Sequence, residues 1–332
     1  MSFRALVTDR AADGAVSSRV ATLDEDRLPD GEVLVAVEWS GLNYKDGLCL
    51  RSLGNLVKTY PHVAGIDFAG RVLESEDPRY RPGQEVVLTG WRVGELHWGG
   101  FAERARVRGD WLVPLPERLS TRKAMLLGTA GLTAMLAIDR LEKAGIAPEK
   151  GPVLVTGAGG GVGSLAVYLL ARLGYRVTAV TGRAEVADRL RRLGTSEILD
   201  RSALLAPSGR VLDKEQWVAA IDPVGGQLLG EVLKKVRYGG AVAAIGAAGG
   251  PTWEASIIPF ILRGISLLGI DSVMQPQEAR VAAWGRLAEL FSAEDYADLT
   301  REARLEELPG LAATILEGQL AGRVIVDPAK TD

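Results

Sequence analysis

The run Val153-Leu-Val-Thr-Gly-Ala-Gly-Gly-Gly-Val-Gly163 constrains this chain more than any other. An apolar strand runs straight into glycines, and Ser164-Leu-Ala-Val-Tyr-Leu-Leu-Ala-Arg-Leu173 continues as a helix. Strand, glycine turn and helix in that order open a dinucleotide-binding unit. Gly157 permits the tight turn, Gly160 leaves the backbone open to a pyrophosphate, and Gly163 lets helix and strand pack closely. The unpaired N–H groups around the helix start, at Gly159, Gly160, Gly161 and Val162, then face the phosphates. The spacing is Gly-x-x-Gly-x-x-Gly, because Ala158 sits where the strict pattern wants its first glycine. An ordinary glycine-rich loop is the alternative, and the strand before and helix after weigh against it.

The next strand, Tyr175-Arg-Val-Thr-Ala-Val180, points to which dinucleotide. A site for NAD places Asp or Glu about 20 residues past the glycines, on the ribose 2′-hydroxyl. Here Thr181, Gly182 and Arg183 occupy that place. A hydroxyl, a flexible glycine and a guanidinium suit a 2′-phosphate, so NADPH is the expected cofactor. Glu185 follows too late and reads as a carboxylate in the first turn of a helix. Arg201, after the third strand, is a second candidate for the adenosine end, with a solvated surface arginine as its alternative.

The chain has 332 residues, enough for two domains, and 47% hydrophobic residues supply a sizeable core. A net charge of −3 argues against a general nucleic-acid partner. The one cysteine, Cys49, excludes an intramolecular disulfide framework and a Cys-rich metal site. No basic-then-apolar leader opens the chain, and no apolar run is read as reaching the roughly 20 residues that span a membrane, so the expectation is a cytoplasmic protein.

Residues 1–125 read as short strands between turns, including 32–38, 65–73 and 82–90. Residues 123–145 carry helical spacing. From Val153 strands are expected at 153–156, 176–180, 196–199, 217–221, 241–245 and 265–270, with helices at 163–173, 184–193 and 226–236. That alternation predicts an α/β fold with a doubly wound parallel sheet. Helices near 276–291 and 308–318 and a last strand, Arg323-Val-Ile-Val-Asp327, complete the tail. No linker separates the units, so a cleft between them is the expected site. Gly246, Ala247 and Ala248 follow the fifth strand, and Ile270 and Ser272 the sixth, at carboxyl ends where ligands bind.

Several stretches resemble the medium-chain dehydrogenase/reductase family along the whole chain. They are Ser40-Gly-Leu-Asn-Tyr-Lys-Asp46, Ala64-Gly-Ile-Asp-Phe-Ala-Gly70, Gly128-Thr-Ala-Gly-Leu-Thr-Ala134, the glycine turn, and Ile221-Asp-Pro-Val-Gly-Gly226. Residues 88–100 and 259–274 are similar to its acrylyl-CoA reductase branch, also described as a quinone oxidoreductase group. The resemblance implies a GroES-like, mostly β catalytic domain at 1–125 and a Rossmann domain at 126–270. It also implies a segment at 271–332 returning to the catalytic domain, and a homodimer joined through the cofactor domains. The implied reaction is NADPH-dependent reduction of the C=C bond of acrylyl-CoA to propionyl-CoA, with a quinone or general enone reductase as runner-up. An NADPH-binding structural or sensor protein is the non-enzymatic alternative.

Zinc-dependent members have Cys where this chain has Asn43, a His–Glu pair where it has Ile66-Asp67, and a four-Cys lobe that one cysteine cannot supply. A zinc-free enzyme is expected, with His62 and His97 as hydrogen-bonded structural residues. The resemblance places Asn43 and Tyr44 in the loop lining the cleft, Tyr44 to contact nicotinamide and donate toward substrate, with an amphipathic packing residue as the alternative for Tyr44. Thr129 and Thr133 are placed at the nicotinamide ribose. Arg323 is expected to grip a cofactor phosphate or the substrate carbonyl, with an ordinary end-of-helix cation as its alternative, and Lys45 to pair with Asp46 or Asp67.

Overall fold

Runs of Val, Leu and Ala broken by Gly, Pro and Asp become the strands of the first third of the chain. They are β1 (Ser2–Arg10), β2 (Val16–Asp24), β3 (Val33–Leu42), β4 (His62–Val63), β5 (Asp67–Ser75), β6 (Glu85–Thr89), β7 (Arg104–Val107) and β8 (Leu112–Pro114). Helix α1 (Tyr44–Leu50) follows β3, and α2 (Thr121–Lys143) follows β8. Strand and helix then alternate through β9 (Val153–Val155), α3 (Gly161–Arg172), β10 (Val177–Thr181), α4 (Ala187–Arg192), β11 (Glu197–Asp200) and α5 (Arg201–Leu205). The alternation continues with β12 (Trp217–Asp222), α6 (Gly226–Leu233), β13 (Val236–Ala244), α7 (Ile258–Arg263) and β14 (Ser266–Gly269). The tail holds α8 (Gln277–Leu290), β15 (Thr300–Ala303), α9 (Leu308–Leu316) and β16 (Arg323–Val326). This computed structural model describes residues 1–206 and 208–331.

The chain forms two units. The first comprises Met1–Thr129, Ser272–Glu289 and Thr300–Asp332, and the second Ala130–Asp271 and Leu290–Leu299. In the first unit one sheet runs β15-β16-β3-β5-β6-β8, with β7 also on β3, and a smaller sheet runs β2-β1-β4. Strand β16 pairs antiparallel with β3, matching Val324 to Leu42 and Val326 to Ser40. Strand β5 lies on the other side of β3 and matches Phe68 to Ser40. Three strand ends therefore bring Asn43, Asp67 and Arg323 to one place, although they are far apart in sequence. Phe3, Leu6, Leu42, Leu50 and Phe101 pack with Leu305, Leu308 and Leu311 from the tail in one core of this unit.

In the second unit the sheet runs β11-β10-β9-β12-β13-β14, and every neighbouring pair is parallel. The inner strands β9, β10 and β12 are buried throughout, whereas the edge strands β11 and β14 are partly exposed. Leu154, Val180, Ala220 and Val242 from four strands pack with Leu228, Leu229 and Val232 of α6. Two boundaries differ from expectation. Helix α6 ends at Leu233 and β13 begins at Val236, ahead of the glycines that mark a turn in sequence. Trp217 pairs with Val236 and Ala219 with Ala241, so Arg237–Gly240 form a bulge, with Gly239 at φ +70°. Helix α5 was not expected; the Asp200 side chain caps it by accepting from Ser202 N at 2.7 Å.

Among the described residues α2 is long and apolar enough to cross a membrane by length and composition, contrary to the expectation that no segment is. It is a core helix: 83% of its most apolar stretch is buried, and Gly128, at φ +51°, breaks it.

Candidate active site

The glycine turn lies between β9 and α3 in the second unit. Gly157 takes φ +55°, a left-handed conformation. A Cβ at Gly163 would run into the carbonyl oxygen of Gly157, so the close helix–strand approach requires glycine there. Gly160 is the N-cap and α3 opens at Gly161, which leaves the N–H groups of Gly161 and Val162 without intrahelical acceptors. Gly159 and Gly160 shape the loop just before them. A buried carboxylate holds the turn to the neighbouring loop. Asp222, at the end of β12, accepts from the Thr156 hydroxyl, from Gly225 N at 2.8 Å and from Val224 N at 3.3 Å. Burial raises its carboxyl, against the pull of these donors.

At the end of β10, Thr181 Oγ1 accepts from Arg183 N at 3.1 Å, which turns the chain around Gly182. The Arg183 guanidinium reaches back to the glycine turn: a Cβ built on Gly159 would lie 2.9 Å from its Nη2. Arg201 reaches the same place from α5, since a Cβ on Gly182 would lie 3.3 Å from its Cζ. Desolvation lowers the Arg183 pKa, and Glu185 opposes that shift. Among the described residues neither arginine has an ion-pair partner within 4.0 Å. Two uncommitted guanidiniums thus flank Gly182, beside a turn that exposes N–H groups. This arrangement fits a phosphorylated dinucleotide.

Gly246, Ala247 and Ala248 are exposed beyond β13. Ile245 N donates to Asp222 O at 3.0 Å and Ala248 N to Pro223 O at 3.5 Å, so this loop stacks on the one after β12. Ile270 N donates to Ala244 O at 3.1 Å beyond β14. Thr133 is buried in α2.

In the first unit the strand ends build a buried polar network. Asn43 Nδ2 donates to Asp67 Oδ2 at 3.0 Å and to Asp46 Oδ2 at 3.2 Å, and Asn43 Oδ1 accepts from Arg323 Nη1 at 2.9 Å. Arg323 also donates to the carbonyls of Leu126 at 3.2 Å and Met125 at 3.3 Å, and its Nη2 lies 3.7 Å from Asp67. Thr129 N donates to Asp67 Oδ2 at 2.7 Å. A Cβ on Gly128 would lie 2.5 Å from Asp67 Oδ2 and 2.6 Å from Arg323 Nη2, so the break in α2 makes room for this pair. Burial raises the Asp67 carboxyl, opposed by Arg323 and the hydrogen bonds. Asn43 and Arg323, both expected at the cofactor or substrate, turn their side chains into this network. Tyr44 does the opposite: it begins α1, is 42% exposed, and its hydroxyl has no hydrogen bond among the described residues.

Lys45 pairs with Glu95 at 3.0 Å rather than with Asp46 or Asp67. His62 Nε2 lies 2.9 Å from Gly94 O and His97 Nε2 2.7 Å from Arg106 O, so both are hydrogen-bonded as expected. Cys49 is buried and its thiol is pushed far up by desolvation, which removes it as a nucleophile. Among the described residues no three His, Cys, Asp or Glu side chains group as metal ligands. At the place of zinc ligands stand the Asn43 amide, already committed to two carboxylates and a guanidinium, and the aliphatic Ile66. This donor set does not fit zinc.

Sequence reasoning missed two residues. Asp46 is fully buried and accepts from Asn43 N at 2.8 Å, Ile66 N at 2.8 Å and Gly65 N at 3.1 Å, which binds the start of α1 to the approach to β5. The Asn-x-x-Asp spacing of a capping box was its signal. Arg280 on α8 is fully buried; it donates to Thr89 O at 2.7 Å and Ser272 O at 3.0 Å and stands 4.8 Å over the Trp91 ring. Ser272 thereby contributes its main-chain carbonyl to a structural anchor. An arginine between the apolar residues of α8 reads in sequence as a solvent-facing charge and carries no signal of burial.

Residues 29–117 match the alcohol dehydrogenase GroES-like domain family and residues 161–289 the zinc-binding dehydrogenase family. The chain is 55% identical to acrylyl-CoA reductase AcuI of Ruegeria pomeroyi, over 98% of this chain and 99% of that one. It is similar to the yhdH oxidoreductase from Salmonella enterica in complex with NADP, with TM-score 0.95 and 50% identity, covering 99% of this chain and 100% of that one. It is also similar to the Bacillus subtilis protein yhfP with NAD bound, with TM-score 0.94 and 48% identity, covering 99% of this chain and 100% of that one.

Proposed function

The chain belongs to the medium-chain dehydrogenase/reductase family, and on that premise we propose that it reduces the C=C bond of acrylyl-CoA to propionyl-CoA with NADPH. The observation that carries the cofactor half is the pair of uncommitted arginines, Arg183 and Arg201, beside the glycine turn. The substrate half is supported by 55% identity along nearly the full length of an acrylyl-CoA reductase.

When bound, NADPH would supply the hydride to the β-carbon of the enoyl thioester, and a proton then goes to the α-carbon to complete propionyl-CoA. The protein's task is to orient that carbon and to stabilise charge collecting on the thioester oxygen. In this reading the exposed Tyr44 hydroxyl donates to that oxygen. Asn43, Asp67 and Arg323 act behind it as positioning residues that fix the loop. Thr129, Thr133, Gly246–Ala248, Ile270 and Ser272 line the path of the nicotinamide half. Conjugation already polarises the C=C bond, so the reaction asks for no metal. Exhaustive chelation should leave turnover unchanged, and metal analysis should find no stoichiometric zinc. We further assign the active protein as a cytoplasmic homodimer joined through its cofactor domains.

Loss of NADPH absorbance with acrylyl-CoA, acrylate and a simple quinone tests the reading. Acrylate lacks the CoA handle, and its ionised carboxylate withdraws electrons less than a thioester. If ~4 kcal/mol of handle binding is realised in the transition state, kcat/KM for acrylyl-CoA exceeds that for acrylate by roughly 10³-fold. A quinone that outcompetes acrylyl-CoA makes this a quinone reductase, and binding of NADPH with no turnover of any acceptor makes it a binding protein.

A further inference from the structure

We propose that a basic concavity at the C-terminal end of α1 holds phosphate groups of the substrate's coenzyme A, an inference that rests on the acyl-thioester reading above. The concavity has a volume of about 400 Å³ and is lined by Arg10, Gly14, Val16, Arg51 and Ser52. Arg10 and Arg51 are both exposed, and among the described residues neither has a carboxylate within 4.0 Å. The nearby acids are otherwise engaged: Asp9 lies 3.7 Å from Arg19, and Asp13 accepts from Ala15 N at 2.9 Å. The positive charge is therefore left for a ligand.

Ser52 is built into this site. It is held at φ +53°, a left-handed conformation that costs a side-chain-bearing residue about 1–3 kcal/mol. Its Oγ accepts from Arg10 Nη2 at 3.2 Å and from the Tyr60 hydroxyl at 3.0 Å, and Arg10 stands 5.3 Å over the Tyr60 ring. With both lone pairs taken, the hydroxyl proton remains to donate. Two guanidiniums and a hydroxyl donor suit a phosphate, which is all acceptor.

Helix α1 links this concavity to the proposed reacting end. Its seven residues span about 10 Å. Asp46, Gly47, Cys49 and Leu50 form its buried side. Tyr44, Leu48 and Arg51 recur at i, i+4 and i+7, and so share the other face. A thioester aligned on that face has its carbonyl at Tyr44, its pantetheine arm passing the half-buried Leu48, and its phosphates at Arg51 and Arg10. The acyl group is too small to anchor itself, whereas this track places the binding energy on the remote handle.

Calorimetric titration of coenzyme A and of pantetheine, which lacks the phosphates, reads the site without turnover. Wild type should bind coenzyme A well above pantetheine, and R10A/R51A should weaken coenzyme A about tenfold or more with little change for pantetheine. The Arg51 side chain makes no hydrogen bond among the described residues, so R51A alone leaves the fold intact and should show part of the same loss. In turnover, the ratio of kcat/KM for acrylyl-CoA to that for the acrylyl thioester of N-acetylcysteamine should fall about tenfold or more in R10A/R51A. Wild type that binds no coenzyme A, or variants that bind it as wild type does, overturns the site. Coenzyme A held through these arginines by a protein that reduces no acrylyl-CoA supports the site and overturns the reaction.

Discussion

Arg183 is the residue at which NADPH and NADH should part. Its guanidinium lies against the glycine turn, and Arg201 approaches Gly182 from the same end of the neighbouring parallel strand β11. Only NADPH offers either of them a 2′-phosphate. Charge-assisted hydrogen bonds of this kind contribute about 1.5–3 kcal/mol each, so Arg183→Ala should raise KM for NADPH roughly 10- to 100-fold. KM for NADH should move less than about twofold, because no charged bond to it is lost. Steady-state kinetics with both cofactors checks this, and equal losses would remove Arg183 from the phosphate. Arg201→Ala should show the same selectivity more weakly, since that side chain is more exposed. Arg183 was legible in the sequence because the end of the second strand stands at a fixed step from the glycines. The orientation of Asn43 and Arg323 was not. It depends on β16 pairing with β3 across 280 residues, and on Gly128 breaking a helix whose apolar spacing reads as continuous.

At the scale of elements, the start of α1 depends on Asp46. Burial and the neighbouring Asp67 raise its carboxyl to about 7, although four N–H groups pull the other way. An acid whose folded pKa lies above its unfolded value contributes stability that is fully present below about 4 and lost as pH rises through about 7. Asp46→Asn cannot ionise, but its amide turns a donor toward Asn43, so the variant should melt below wild type at pH 5. The gap between the two melting temperatures should then narrow from pH 5 to pH 8, as only wild type ionises there. A gap that stays constant over that range would mean that Asp46 is held as the anion in the folded protein, since both states would then be ionised throughout. The element order of the second unit was readable from its alternating pattern, because each crossover is local. Boundaries failed where tertiary pairing prevailed over local glycine chemistry. The Arg237–Gly240 bulge does so by letting β13 begin before its glycines and still pair with β12.

At the scale of the molecule, the second unit carries an unfinished surface. Among the described residues strand β14 pairs only with β13, which leaves its other edge open. Beside it in sequence, Ile257, Ile261 and Leu262 are 64%, 65% and 59% exposed at α7. Open strand edges and clustered exposed aliphatics are costly in water, and a second copy of the same surface would cover both. A two-fold interface uses each residue twice. Burying an isoleucine is worth about 1.5–3 kcal/mol, so Ile261→Glu removes at least about 3 kcal/mol per dimer and adds two buried charges. That loss weakens association by more than about a hundredfold. Light scattering at micromolar concentration should give wild type twice the 35.3 kDa chain mass and Ile261→Glu a single chain. NADPH binding by the variant should persist, because the glycine turn and Arg183 lie on β9, α3 and the end of β10 rather than on α7. A wild-type mass of one chain would instead leave this apolar edge exposed in solution and refute the assignment of a dimer through the cofactor domains.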